Sequence, residues 1–256
     1  MLEQITPVLL TYNEAPNIGR TLSLLDWAKD IVVVDSYSTD ETLAILKRHP
    51  AVRVFQRPFD VHANQWNYAL KETGIATEWV LALDADYVLS QALVDELARL
   101  EPPRDFAAFR TRFRYCIYGK ALRGTAYTPV TTLYRHAQAT YEQDGHTQRV
   151  RVSGEVGELR GVIYHDDRKS LAHWCAAQSR YMELEAEKLS ALAWRDLDFY
   201  DRLRRALVIA PLFMPFYCAF VKGNILDGKA GLYYVMQRTL AELLLSLHLL
   251  QRRLAR

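Results

Sequence analysis

The sequence predicts an α/β fold, a Rossmann-like and mostly parallel sheet flanked by helices, with a C-terminal helical region after it. Three observations carry this prediction. Short β-branched runs alternate with helical patterns through the first hundred residues, which is the signature of right-handed crossovers and a parallel sheet. Acidic residues follow the strand-like runs closely, at Glu14, Asp35 and Asp84. From about Leu171 the pattern is helical to the end.

The elements follow in order. Val8-Leu9-Leu10 reads as the first strand. Ile18, Leu22 and Leu25 recur at helical spacing within a helix over Asn17–Trp27, and Pro16 stands where a missing N–H costs nothing. Ile31-Val32-Val33-Val34 is a buried strand. Ser38 and Glu41 have the spacing of a capping box for a helix to about Arg48, which His49-Pro50 ends. Val52–Phe55 is a third strand, Val61–Glu72 a helix, and Trp79–Leu83 a fourth strand. Ser90 caps a helix to Leu100. After Pro102-Pro103 the pattern changes. Ala107–Tyr118 reads as extended, as do Thr131–Arg135 and Gln148–Val152. Gly154, Gly157 and Gly161 mark a turn-rich stretch before Tyr164-His165-Asp166-Asp167. These patterns divide the chain into a catalytic domain over 1–167 and a helical region over 168–256.

At 256 residues, half of them hydrophobic and 24% charged, the chain can bury a full core. Its formal charge of +2 conceals an asymmetry. The first 167 residues are net acidic, whereas residues 168–256 carry 14 Lys/Arg against 8 Asp/Glu. A basic C-terminal part suggests an anionic neighbour. The acidic N-terminal part argues against nucleic acid. Cys116, Cys175 and Cys218 are odd in number and have no metal-ligand spacing, so buried thiols in a reducing compartment are expected. Glu3 and the short apolar run after it do not read as a signal peptide, which points to the cytoplasm or the membrane's cytoplasmic face.

Two C-terminal segments bear on that location. Ala206–Val221 carries no charge but falls short of a span and contains Pro211 and Pro215. Leu232–Leu254 is leucine-rich, with Arg238, Glu242 and Ser246 as a polar stripe. These are either core helices or a device lying in the bilayer interface, helped by flanking basic residues; a true span fits less well.

In an open parallel sheet, ligands bind beyond the carboxyl ends of the strands. Glu14, Asp35 and Asp84 therefore converge on one crevice. Asp84-Ala85-Asp86 puts two carboxylates one residue apart at a strand end. Such a pair suits a divalent cation that neutralises a diphosphate, because hard cations take oxygen ligands. Asp-x-Asp alone equally caps helices or accepts turn N–H groups.

Together these motifs resemble the family 2 glycosyltransferases, which have the GT-A fold. The residues that carry the resemblance are Thr11-Tyr12-Asn13-Glu14, Val34-Asp35-Ser36-Tyr37-Ser38-Thr39-Asp40 with Thr42, and Asp84-Ala85-Asp86. In the tail, Ile225-Leu226-Asp227-Gly228-Lys229-Ala230-Gly231 resembles an element of the bacterial enzymes that build the lipopolysaccharide core. The resemblance covers nearly the whole chain. It implies a nucleotide-diphosphate sugar as donor, uridine diphosphate first, and a lipopolysaccharide-core or lipid-linked glycan as acceptor. It also implies Mg2+ or Mn2+ as cofactor and work at the inner membrane face. By the same resemblance Thr11, Asn13, Glu14, Asp35, Asn67, Asp84 and Arg135 bind the nucleotide-sugar. Asp84 and Asp86 hold the metal. His165 is a metal ligand or a diphosphate contact, with Asp166 and Asp167 as alternative N-cap groups for the next helix.

An inverting transfer needs a base for the acceptor hydroxyl. The matching segment is Glu142-Gln143-Asp144-Gly145-His146-Thr147, with Thr147 where the subgroup has an acid. Asp144 is the first candidate, His146 the second and Glu142 the third. Arg110, Arg112 and Arg114 alternate along an extended run and would share one face, meeting an anionic acceptor or solvent. A catalytically decayed nucleotide-sugar-binding protein is an alternative that Thr147 keeps open. A nucleotidyltransferase is another, disfavoured because Thr11–Ala15 lacks a Gly-rich basic loop.

Overall fold

The computed structural model describes residues 1–144 and 147–255. Its strands are β1 (Ile5–Thr11), β2 (Ile31–Asp35), β3 (Val52–Gln56), β4 (Trp79–Asp84), β5 (Tyr87–Leu89), β6 (Phe106–Ile117), β7 (Lys120–Ala121), β8 (Val130–Arg135), β9 (Ala139–Asp144), β10 (Thr147–Val152) and β11 (Glu155–His165). Its α-helices are α1 (Ile18–Leu22), α2 (Thr42–Leu46), α3 (His62–Glu72), α4 (Gln91–Arg99), α5 (Leu171–Ala191), α6 (Phe199–Arg205), α7 (Ile209–Phe216) and α8 (Lys229–Leu254). The chain forms two compact units. The first comprises Met1–Cys116, Tyr127–Gln143 and Thr147–Arg168. The second comprises Ile117–Ala126, Asp144 and the chain from Lys169 on.

The main sheet of the first unit runs β3-β2-β1-β4-β8-β6-β11-β5. β1 to β4 are parallel, and β8 enters antiparallel between β4 and β6. The order reverses between β1 and β4, and that reversal opens a crevice at their carboxyl ends. Side-chain alternation divides the core into two layers. Leu9, Val33, Leu81 and Leu83 face α1, α2 and α4 through Ile18, Leu22, Leu46, Leu93 and Leu97. Val8, Val32, Val34, Val80 and Ala82 face α3 through Ala63, Trp66, Ala69 and Leu70. The β9–β10 ribbon joins this second layer through Tyr141, Val150 and Val152.

Three local readings are corrected. The helix expected over Asn17–Trp27 closes at Leu22, and Leu25 is buried from the turn that follows. The Ser38–Glu41 capping box does not form: α2 starts at Thr42 with no side-chain cap, and the Ser38 oxygen, which would have to accept from the helix, accepts instead from the Asn13 N–H while its hydroxyl donates to Asp35. The glycine-marked stretch is not turn-rich but forms β11. Gly157 lies where a Cβ would overlap the rings of Phe106 and Phe109, and one on Gly161 would collide with the backbone of Leu93 in α4. These glycines serve close packing, not turning.

In the second unit α5 and α8 enclose Met182, Ala186, Leu189, Leu197, Leu245 and Leu249. Ser170 caps α5 by accepting from the His173 N–H. The Arg204 guanidinium lies 2.9 Å from Glu185 and 3.2 Å from Glu242, and both carboxylates are buried. Part of the polar stripe of α8 therefore faces inward, where Ser246 also donates to the Leu207 carbonyl. Asp227 is buried and accepts from the Arg123 N–H, and Gly231 is needed because a Cβ there would collide with the Asn224 carbonyl. Among the described residues no single helix is long and apolar enough to cross a membrane. One pair, Phe199–Arg205 with Ile209–Val221, passes on length and composition but is bent by 116°.

Candidate active site

Parallel register places the expected nucleotide residues side by side. Thr11 pairs with Asp35 and Leu10 with Asp84, so three adjacent strands end together. Asp35 is fully buried and accepts from the Thr11 hydroxyl at 2.9 Å and from the Ser38 N–H at 2.9 Å. Asn13 takes a left-handed backbone, with φ of 54°, which Asn tolerates better than most residues. Its side-chain carbonyl accepts from the Thr39 N–H, stitching the loop after β1 to the loop after β2. Glu14 accepts from the Asn17 amide at 2.9 Å. Tyr12 and Tyr37 stand exposed beside them, and Tyr37 also has a positive φ.

The acidic pair meets the end of β11. His165 Nε2 lies 3.0 Å from Asp86 Oδ2, both largely buried. The imidazole sits among the rings of Tyr87, Phe113, Tyr115 and Tyr127, with centroids 4.8 to 6.4 Å away. Burial works against its protonated form, but the charges of Asp86, Asp84 and Asp167 outweigh it and raise the His165 pKa above the ordinary value. Burial, with the neighbouring Asp84 and Asp86, pushes the Tyr87 phenol well above 10. Asp84, Asp86 and His165 thus share one electrostatic environment.

Behind them lies a network that sequence reasoning missed. Arg20 and Arg168 both bind Asp166, each at 2.8 Å. Asn17 bridges Glu14 and Asp167 and accepts from the Arg168 N–H. The Thr21 hydroxyl donates to the Ala85 carbonyl, and the Asp166 N–H to the Asp86 carbonyl. Asp166 and Asp167 are therefore not caps of α5. Two of their partners, Arg20 and Asn17, lie 146 and 150 residues away in sequence. The only local signal is the Asn17/Arg20/Thr21 spacing on one helical face.

Other predicted residues serve elsewhere. Arg135 pairs in register with Trp79, at the start of β4 and the far end from Asp84. There its guanidinium stacks on the Trp79 ring, pairs with Glu78 and donates to the Phe106 carbonyl. The antiparallel entry of β8 thus turns Arg135 away from the crevice, and its nucleotide role is withdrawn. The Asn67 amide donates to the Tyr141 carbonyl and accepts from its N–H, both at 2.9 Å, tying α3 to β9 like a strand partner. Glu142 is exposed and accepts from Arg151 at 2.8 Å. Asp144, in the second unit, lies 2.7 Å from Lys188 Nζ. His146 lies outside the described residues.

Among the described residues no three His, Cys, Asp or Glu side chains converge as a ready-made metal site. The Asp84 and Asp86 carboxylates are donors of the oxygen type that a hard cation takes, and a substrate diphosphate would have to supply the rest of its shell.

The fold and this crevice define a glycosyltransferase of the GT-A type. The model of "Glycosyl transferase family 2" matches residues 7–151, more than half of the chain, and the protein belongs to that family. It is 35% identical over 212 residues to an uncharacterized glycosyltransferase of Rickettsia typhi, covering 73% of this chain and 68% of that protein. It is 26% identical to the lipopolysaccharide core biosynthesis glycosyltransferase LpsC of Rhizobium meliloti, covering 72% of this chain and 71% of LpsC. Among solved structures it resembles S. aureus TarS 1-349 in complex with UDP-GlcNAc. The TM-score is 0.51 at 16% identity, over 99% of this chain and 92% of that one, and the likeness extends to the fold.

Proposed function

We propose that this glycosyltransferase is an inverting enzyme that takes a sugar from a uridine diphosphate donor. Its acceptor would be a lipopolysaccharide-core or lipid-linked glycan, met at the cytoplasmic face of the inner membrane. The observation that carries the reading is the alignment of Thr11, Asp35 and Asp84 on adjacent strand ends, with Asp86 and His165 joined at 3.0 Å beside them. TarS binds UDP-GlcNAc and LpsC is named for lipopolysaccharide core biosynthesis; both support the donor and acceptor classes.

In the proposed reaction the acceptor hydroxyl oxygen attacks the anomeric carbon while the bond to the diphosphate oxygen breaks on the opposite face. Asp35 and Thr11 would hold the nucleoside. Asp84 and Asp86, with His165, would hold Mg2+ or Mn2+, which when bound stabilises the diphosphate charge as it develops. Asp144 is the first candidate to take the hydroxyl proton, with Lys188 orienting its carboxylate.

A thermal-shift panel of nucleotides, with and without Mn2+, tests the donor class. Uridine diphosphate sugars should raise Tm, more so with Mn2+, because binding to the native state stabilises it. A panel in which no nucleotide shifts Tm would sink the reading. Loss of turnover in Asp144→Asn with unchanged nucleotide binding is expected of the base.

A further inference from the structure

The second unit exposes an apolar face that its fold does not bury. α7 continues through one π turn to Val221, and Ala206–Val221 holds no charged residue. Ala210, Pro211 and Cys218 are buried. Leu212, Phe213, Phe216 and Phe220 point outward, at 68%, 53%, 63% and 64% exposure. Their spacing of one, three and four residues lays them along one side of the helix. Val221, Ile225 and Leu226 prolong the ridge at 69%, 56% and 67% exposure. Exposed apolar surface of this extent on a folded unit marks a contact surface.

We propose that this ridge is a bilayer-docking face selective for anionic lipid. It rests on the membrane address in the proposed function and supplies the surface that would realise it. Charge decides the occupant. From Arg202 to Leu226 the sequence holds four basic residues and no acidic one. Arg204 is spent on Glu185 and Glu242, whereas Arg202 and Arg205, half-buried and each donating to a backbone carbonyl, and Lys222, over the Tyr217 ring, bring positive charge to the two ends of the apolar run. A second copy docked face to face would bring these like charges together, whereas anionic headgroups complement them. The 116° bend before Ile209 and the two prolines suit a helix lying in the interface rather than one crossing it.

The test is flotation of the full-length protein with phosphatidylglycerol-containing vesicles and with pure phosphatidylcholine vesicles. Binding to the anionic vesicles should be at least tenfold tighter and should weaken with salt. The double variant Phe213→Glu/Phe216→Glu should lose at least tenfold of that binding while keeping its thermal-shift response to nucleotide, which reports separately on the proposed donor. Leu212→Trp, a milder change, should show blue-shifted emission quenched by brominated lipid. Wild-type protein that ignores anionic vesicles, or a double variant that floats as well as wild type, would overturn the proposal. A solution dimer that this double variant converts to monomers would also overturn it.

Discussion

His165 Nε2 and Asp86 Oδ2 lie 3.0 Å apart, joining the end of β11 to the acidic turn after β4. Asp86→Asn should reduce sugar transfer about 10²–10³-fold, the scale of losing a group that supports developing charge. The Mn2+ concentration for half-maximal rate should rise in His165→Ala, and Tm should fall as well, because the change leaves a cavity among four aromatic rings. Full activity of Asp86→Asn in the presence of a chelator would refute the metal assignment.

Asp35 is fully buried and serves the Thr11 hydroxyl and both the N–H and the hydroxyl of Ser38. Asp35→Ala leaves these three donors without their acceptor, at a cost of about 1–3 kcal/mol per unsatisfied group. Urea denaturation should show that loss, and isothermal titration should show weaker nucleotide binding. Unchanged stability would contradict the buried geometry.

Asn67 makes two hydrogen bonds to the backbone of Tyr141. Asn67→Ala should cost about 1–3 kcal/mol of stability and leave KM for the donor within twofold of wild type. A large rise in donor KM at unchanged stability would restore the expected nucleotide contact.

Gly161 leaves no room for a methyl group against Leu93 of α4. Gly161→Ala should destabilise by about 1–3 kcal/mol through overpacking, seen as a lower midpoint in denaturant. Wild-type stability of the variant would mean that α4 gives way easily.

Arg204 separates two buried carboxylates, Glu185 and Glu242. Arg204→Met should cost about 3–5 kcal/mol, because it removes the cation beside buried Glu185 and leaves Glu242 only Arg238, 3.7 Å away. The double change Arg204→Met/Glu185→Leu, which keeps the Arg238–Glu242 pair, should recover most of it. Failure to recover would point to packing, not charge.

The sheet class was legible where the signal was local. β-branched runs ending in Thr11, Asp35 and Asp84 announced the parallel sheet, whose register sets those three residues side by side. Where two segments competed for one group, the local pattern misled. Ser38 has the spacing of a cap, yet its oxygen accepts from the Asn13 N–H of the neighbouring loop. Arg135 fits the motif list, yet the antiparallel insertion of β8 carries it to the opposite end of the sheet.

The amino-acid order by itself determined the α/β class, the acidic turn at Asp84 and Asp86, and the family to which the chain belongs, because these depend on periodicity and short spacing. Only the tertiary structure decided that His165 meets Asp86, that Asn17, Arg20 and Arg168 engage Asp166 and Asp167, and that Leu212, Phe213 and Phe216 stay uncovered. Those outcomes depend on which distant surfaces meet, and spacing along the chain carries no record of that.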